Sequence, residues 1–315
     1  MSVFVRVVFL GNDAWSVPTL EALVRAEDVD VVLVVTNPAR PAGRGSTLTP
    51  TPVADVARRL GLPVAETETT RGEGFVNRLR AVEPDATVVV AYGELLSPEV
   101  LRVARLGSFN LHFSLLPRWR GASPVQRAIL AGDRITGTTV ILMDEGLDTG
   151  PVLARSEVPI REDDDAGSLG DRLAVIGSEA VIEVIHAFAI GKPFDPTPQD
   201  GSIPPTSAPK FGPSDRVVDW SDPADAIVRQ IRAFAPEPGA TTKWRGEDFK
   251  LLRAEEAAST TGAPGTIVQA DRNGVMVATG TDAVRLLEVA PAGRRRMLGA
   301  DWARGVRNVV GERLG

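Results

Sequence analysis

The stretch VRVVFLGNDAWSVPTLEALVRAEDVDVVLVVT, Val5 to Thr36, decides the fold. Val5–Gly11 is a near-continuous apolar run, the pattern of a strand buried on both faces. The apolar spacing then predicts a helix from about Val17 to Arg25, and Val29–Thr36 reads as a second buried strand. Strand, helix and strand in so short a span make a βαβ unit, the building block of a Rossmann-like parallel sheet. The turn Gly11-Asn12-Asp13-Ala14-Trp15-Ser16 holds a single glycine. The Gly-rich dinucleotide fingerprint is therefore missing, and an NAD-dependent oxidoreductase is disfavoured.

The same rhythm continues downstream. Val53–Leu60 and Phe75–Val82 read as helices, with a short strand at Leu62–Val64 between them. Ala86–Ala91 is a further buried strand and ends in Tyr92-Gly93. Tyr92 is the only tyrosine and stands where open α/β sheets hold ligands, at a strand's C-terminal end. It reads as a pocket wall, with ordinary strand-to-loop packing as the alternative. Ser108–Leu111, Thr138–Met143 and Val152–Val158 read as strands. Ser123–Leu130 reads as a helix with Ser123 as N-cap and Pro124 in the first position. A long helix is expected over Ser168–Ile190, with the acids Asp163-Asp164-Asp165 near its positive end. His186 lies on that helix among Val184, Ile185, Ala187 and Phe188 and reads as a packing residue. Asn37–Pro52 interrupts the rhythm, because six Pro and Gly residues exclude a helix or a central strand. The segment carries Arg40 and Arg44 and no acid; a loop this long is usually functional or mobile.

The candidate chemistry lies in GSFNLHFSLLPRWRGASPVQRAILAGDRITGTTVILMDEGLDTG, Gly107 to Gly150. Asn110 and His112 are two residues apart, so on a strand their side chains share a face. A polar pair there is poor core material and good material for acyl transfer: the amide can donate to an oxyanion and the imidazole can move protons. Asp148 follows 36 residues after His112, in Leu147-Asp148-Thr149-Gly150. A purely structural polar cluster is the alternative.

Composition narrows the classes. The 315 residues allow two domains, and 43% hydrophobic with 24% charged residues can build ordinary soluble cores. No cysteine is present, which excludes disulfides, thiolate catalysis and cysteine-ligated metal. With His112 and His186 as the only imidazoles, no dedicated metal site is expected. The N-terminal residues lack the basic flank and long apolar segment of a signal peptide, and no stretch approaches the roughly 20 apolar residues of a membrane span. A cytoplasmic protein without a membrane partner is expected. The net charge of −6 divides unevenly. From residue 209 onward 16 Lys+Arg face 14 Asp+Glu, while residues 1–208 hold 19 basic and 27 acidic residues. So acidic a total argues against a general nucleic-acid coat, or DNA as a partner, and allows a local basic surface on the C-terminal part.

Gly191–Pro209 reads as a stiff, extended linker containing six prolines. Beyond it, Ala224–Phe234 reads as a helix. Strands are expected near Thr241–Lys243, Lys250–Ala254, Gly265–Gln269, Gly274–Ala278 and Ala283–Ala290. Five short strands in this span suggest a small barrel of OB type, with Arg294-Arg295-Arg296 in a loop before a last helix.

Asn110-Leu111-His112, Ser114-Leu115-Leu116-Pro117, Arg120-Gly121, Pro124 and Leu147-Asp148-Thr149-Gly150 together resemble the signature of the 10-formyltetrahydrofolate-dependent formyltransferases. That signature cannot choose the acceptor, since glycinamide ribonucleotide and amino-sugar enzymes share it. Other segments resemble the methionyl-tRNA branch of the family: Arg40-Pro41-Ala42-Gly43-Arg44-Gly45, Val90-Ala91-Tyr92-Gly93, Ala208-Pro209-Lys210, Val218-Asp219-Trp220, Ile231–Phe234, Ala263–Ile267 and Pro291–Arg294. Gly11-Asn12-Asp13 departs from the Gly-Thr-Pro common in the family, a departure that bears on the substrate-side wall of the pocket and not on the chemistry.

The resemblance implies a Rossmann-like formyltransferase domain over residues 1–190, a linker over 191–209 and an OB-like tRNA-binding domain over 210–315. It implies formyl transfer from 10-formyltetrahydrofolate to the α-amino group of methionyl initiator tRNA, without metal, by a monomer. Asn110, His112 and Asp148 would be catalytic. Ser114, Leu115, Leu116 and Pro117, with Tyr92, Gly93, Glu145 and Leu147, would hold the folate. Arg40, Arg44, Lys210, Arg294, Arg295 and Arg296 would contact tRNA. A sugar-nucleotide N-formyltransferase with the same trio, and an inactive RNA-binding module, are the alternatives.

Overall fold

In the computed structural model, which describes residues 4–42, 47–192, 195–258 and 261–315, β1 (Val5–Gly11), α1 (Val17–Arg25) and β2 (Val29–Thr36) form the expected opening unit. The strands are parallel in register, Val5 against Val29 and Leu10 against Val35. Next come β3 (Arg40–Ala42) and β4 (Thr47–Thr49), a two-stranded antiparallel ribbon outside the main sheet. Pro41 is compatible with this ribbon because no central ladder needs its missing N–H. Then follow α2 (Pro52–Arg59), β5 (Val64–Glu66), α3 (Glu73–Ala81) and β6 (Ala86–Val90). After them come α4 (Pro98–Leu101), β7 (Ser108–His112), α5 (Pro124–Leu130), β8 (Ile135–Leu142), β9 (Val152–Pro159) and α6 (Ala166–Ala189).

Seven strands make one sheet in the order β5-β2-β1-β6-β7-β8-β9. The first five run parallel, β8 pairs antiparallel with β7, and β9 pairs antiparallel with β8 and so runs with the first five. The parallel strands are apolar on both faces, as sandwiching between helices requires. Val8, Leu10, Val35 and Val89 pack with Phe75, Leu79 and Val100 from the α3 and α4 side. His186 of α6 is not a packing residue. Its ring is 58% exposed, and Nδ1 lies 2.5 Å from Oδ2 of Asp28. The imidazole falls on the outer face of a helix whose apolar neighbours point inward, an offset that composition does not reveal.

The remaining elements are α7 (Ala224–Phe234), β10 (Ala240–Trp244), β11 (Glu247–Ala257), β12 (Ile267–Asp271), β13 (Gly274–Ala278), β14 (Ala283–Pro291), β15 (Met297–Leu298) and α8 (Gly299–Arg304). Their sheet has the order β10-β11-β14-β13-β12, with β15 added on β14. The tail bridges both edges: Leu314 pairs with Trp244 and Arg313 with Thr266. An antiparallel sheet whose edges share one strap is a small barrel. Its core holds Ile227, Ile231, Phe249, Val284 and Trp302.

By their internal contacts the residues form two compact units. The first comprises residues up to Pro124, Ile135–Pro159 and Gly170–Pro209; the second comprises Val125–Arg134, Ile160–Leu169 and Lys210–Gly315.

Candidate active site

In the first unit's sheet, β1 lies between β2 on one side and β6 on the other, so the order of the chain reverses there. Such a reversal leaves a crevice beyond the C-terminal ends of the strands. A cavity of about 300 Å³ occupies this position. Its walls come from Asp13 after β1, Ala91–Leu95 after β6, Asn110–His112 on β7 with Phe113 just after it, Gly121 and Ala122, and Met143, Asp144 and Gly146–Asp148 after β8.

Asn110, His112 and Asp148 meet in this cavity. Asn110 Nδ2 donates to Asp148 Oδ1 at 3.3 Å. Asp148 Oδ2 lies 3.6 Å from His112 Nδ1 and accepts from the Gly121 N–H at 2.8 Å. The other imidazole nitrogen, Nε2, is 2.8 Å from the Trp119 carbonyl oxygen. A carbonyl can only accept, so Nε2 carries the hydrogen and Nδ1 of the neutral ring is left with its lone pair toward Asp148. Protonation at Nδ1 would set a cation beside the carboxylate. His112 is 6% exposed, so little solvent lies between its ring and the Asp148 carboxylate. Asn110 has a second N–H besides the one aimed at Asp148, free in principle to donate to a substrate oxygen.

The loop that presents Asp148 is held from outside the sheet. Asp148 itself has φ 52°, the left-handed region. For a residue with a Cβ this costs about 1–2 kcal/mol, less for Asp than for most. Gln199 offsets the strain: its Nε2 donates to the carbonyl oxygens of Asp148 at 2.8 Å and Gly150 at 2.9 Å. Arg120 in turn donates to Gln199 Oε1 from Nη2 at 2.6 Å and Nε at 3.2 Å. The Arg120 main chain bonds the same proline-rich stretch, a strap over residues 197–208, its N–H to Thr206 O at 2.8 Å and its carbonyl to the Ala208 N–H at 2.6 Å. Gly121 sits between strap and site with φ +120°, and a Cβ there would lie 2.7 Å from the Ala208 carbonyl oxygen. Gly121 enters the sequence reading only as part of the Arg120-Gly121 motif, and nothing local singles out Gln199, which lies in a proline-rich stretch whose pattern reads only as linker.

Three more carboxylates line the cavity: Asp13, Glu94 and Asp144. Asp13 is at the exposed rim, yet the protein atoms crowding its carboxyl push its pKa up. Hydrogen bonds from the Ser16 hydroxyl and from the Ser16 and Trp15 amides oppose the shift. Glu94 is taken up by Thr69 Oγ1 at 2.8 Å and by the Thr70 N–H and hydroxyl at 2.8 and 2.9 Å. Asp144 accepts from the Gly146 N–H at 3.0 Å and Thr149 Oγ1 at 2.5 Å. Tyr92 is 4% exposed, and its hydroxyl has no hydrogen-bond partner among the described residues. Burial, with the Glu94 charge adding to it, pushes its pKa to about 12. Asn12 ties three strand ends together: it donates to the Tyr92 carbonyl and accepts from Thr36 Oγ1 at 3.0 Å and the Asn37 N–H at 2.8 Å.

Of the residues expected to hold folate, Tyr92, Gly93 and Leu147 line the cavity. Leu147 is 51% exposed, as is Leu95, an apolar pair at the rim. Ser114, Leu115, Leu116, Pro117 and Glu145 are not in the lining. Ser114 and Leu116 are fully buried, because Thr139 of β8 bonds the turn from within at 2.6 Å to the Ser114 carbonyl and 3.2 Å to the Leu116 N–H. The turn thereby supports Trp119, whose carbonyl fixes His112. Glu145 points away and pairs with Arg102 at 3.1 Å. Of the residues expected to contact tRNA, Arg40, Lys210, Arg294 and Arg295 are exposed. Arg296 is also exposed but pairs with Glu288. Arg44 lies outside the described residues.

Residues 5–185 match the family model described as Formyl transferase, and residues 210–307 match Formyl transferase, C-terminal domain. The methionyl-tRNA formyltransferase of Roseiflexus sp. (strain RS-1) is 45% identical over 98% of this chain and 95% of its own. That of Streptomyces griseus is 44% identical over 98% and 99%. Among solved structures, HypX from Aquifex aeolicus in complex with tetrahydrofolic acid superposes with a TM-score of 0.64 at 21% identity, over 98% of this chain and 48% of that one. The N-formyltransferase from Helicobacter canadensis, in complex with folinic acid and dTDP-3-aminofucose, gives 0.64 at 17%, over 90% and 99%. The latter two share the fold. With both of its parts matched and near-full-length relatives at this identity, the chain belongs to the formyl transferase family.

Proposed function

We propose that this chain transfers the formyl group of 10-formyltetrahydrofolate to the α-amino group of methionine on initiator tRNA. The observation that carries the reading is the meeting of Asn110, His112 and Asp148 at one end of a cavity with apolar walls. The near-full-length relatives named methionyl-tRNA formyltransferase support the choice of acceptor.

The residues fit a folate. A flat bicyclic ring with a polar edge needs apolar walls and nearby hydrogen-bonding groups. Leu111, Ile141, Met143 and Leu147 supply the first; the carboxylates and main chain around Ala91–Glu94 and Asp144–Asp148 supply the second. Tyr92, Gly93 and Leu147 line the folate pocket directly. Ser114–Pro117 act through the Trp119 carbonyl, and Glu145 acts through its loop.

In the reaction the amine nitrogen forms a bond to the formyl carbon, and the bond from that carbon to N10 breaks. Asn110 donates its second N–H to the formyl oxygen as negative charge builds there. One such donor is worth about 100 to 1,000-fold in rate. His112, protonated on Nδ1, stabilises the same oxygen and delivers a proton to the departing nitrogen. Asp148 stabilises that cation and, through water, takes up the proton the amine loses. No covalent intermediate on the enzyme is required.

Residues 1–190 form the catalytic domain, 191–209 the connection and 210–315 the tRNA-binding domain. Arg40 and Arg44 reach the acceptor end, and Lys210 and Arg294–Arg296 contact the tRNA backbone, which would make binding weaken with salt. The protein works as a cytoplasmic monomer. The test supplies 10-formyltetrahydrofolate with charged initiator tRNA, charged elongator tRNA or an amino-sugar nucleotide. Formylmethionine on the initiator alone supports the reading; transfer only to the sugar refutes it.

A further inference from the structure

We infer that Gln199 is a positioning residue for Asp148, and that the proline-rich strap around it belongs to the catalytic apparatus; this rests on the formyl transfer proposed above. The geometry is specific. Both hydrogens of one amide nitrogen go to the carbonyls that bracket the turn, Asp148 at 2.8 Å and Gly150 at 2.9 Å. The amide oxygen takes both Arg120 donations, so the side chain is fixed at each end. The residue it grips has φ 52°, a left-handed conformation that costs a residue with a Cβ some free energy and that the two Gln199 bonds help to hold. The Asp148 carboxylate depends on that conformation for its reach to Asn110, Gly121 and His112. Other bonds tie the strap down: Thr206 Oγ1 accepts from the Trp119 N–H at 2.8 Å, and Thr197 pairs with Val152 at 2.7 and 2.9 Å in both directions. A plain tether would not need to satisfy both carbonyls of a catalytic turn. Gln199 touches no substrate. It acts by holding a carboxylate whose misplacement by about 1 Å can cost 100-fold in rate.

The test uses the full-length protein as wild type, Gln199→Ala and Gln199→Glu. The glutamate keeps the size and the Arg120 contact but turns an oxygen toward two carbonyl oxygens. Steady-state kinetics and nitrogen-15 spectra of labelled histidine are recorded. The chain has two histidines, so His186 serves as an internal control for His112. The expected result is a fall in kcat of about 10 to 100-fold in both variants, with KM for the formyl donor within about twofold. The His112 resonances move and those of His186 do not. Unchanged His112 resonances, retained activity in Gln199→Glu, or equal disturbance of both histidines would each overturn the inference. Wild-type protein that transfers no formyl group would sink the proposed function instead. The spectra would still decide whether Gln199 positions Asp148.

Discussion

Replacing Gly121 by alanine perturbs the site without touching any ionisable group. Gly121 has φ +120°, a region essentially limited to glycine, which a side chain occupies at a cost of about 1–3 kcal/mol. The new Cβ would also lie 2.7 Å from the Ala208 carbonyl oxygen, part of a hydrogen-bonded main chain that has little room to yield. If the backbone rotates to relieve both, the Gly121 N–H leaves Asp148 Oδ2, now 2.8 Å away. A hydrogen bond to a charged acceptor is worth about 1.5–3 kcal/mol. These two routes are alternatives in part, so the expected loss of stability is about 2–4 kcal/mol. Because the relaxation frees the Asp148 carboxylate, the proposed mechanism has kcat fall by about 100-fold even in the molecules that remain folded. Urea denaturation followed by tryptophan fluorescence measures the first effect, and formyl transfer at saturating substrates the second. A Gly121→Ala protein as stable and as active as wild type would show that the strap does not press on the site as described.

Further outcomes follow from other contacts. Tyr92→Phe removes a buried hydroxyl that has no hydrogen-bond partner among the described residues and should raise stability by about 1 kcal/mol in urea denaturation at neutral pH. The folded pKa of Tyr92 is raised from 10.0 to about 12, so folded protein keeps the proton in that window while the unfolded chain loses it. Stability is therefore intact below pH 10.0 and falls as pH rises toward 12. The phenylalanine variant should lose that part of the alkaline decline, and an unchanged decline would contradict the assignment. Asn12→Ala strands the Asn37 N–H and the Tyr92 carbonyl; a loss of about 1–3 kcal/mol is expected, and no change in melting temperature would dismiss its linking role. His186→Ala removes an exposed pair with Asp28 and should alter stability by less than about 1 kcal/mol. A larger loss would mean that the histidine packs after all.

The strand that carries Asn110 and His112 was legible because its information is local. Asn110 and His112 share a face through the two-residue repeat of a strand, and the apolar runs Val5–Gly11 and Val29–Thr36 coincide with β1 and β2. Asp148 could be named from the sequence but given a role only by resemblance, since its approach to His112 depends on the antiparallel turn of β8 and the loop after it. The support of that loop was invisible for the same reason. Gln199 acts through main-chain carbonyls 49 and 51 residues earlier, and no periodicity records such a bond. The four-residue α4 is too short for a helical repeat to show, and closure of the barrel by Arg313 and Leu314 involves single bridges without a strand pattern. Ser114–Pro117 illustrates a different limit: a motif can mark a site while its side chains face the core.

The most direct test of the account is formyl transfer by Asp148→Asn. Asparagine keeps the size of the side chain and can still accept from the Gly121 N–H, but it removes the charge 3.6 Å from His112 Nδ1. The expected protein is folded, with kcat lowered by about 100 to 10,000-fold toward charged initiator tRNA. Turnover within about threefold of wild type would contradict the account, because no proton transfer could then depend on that carboxylate.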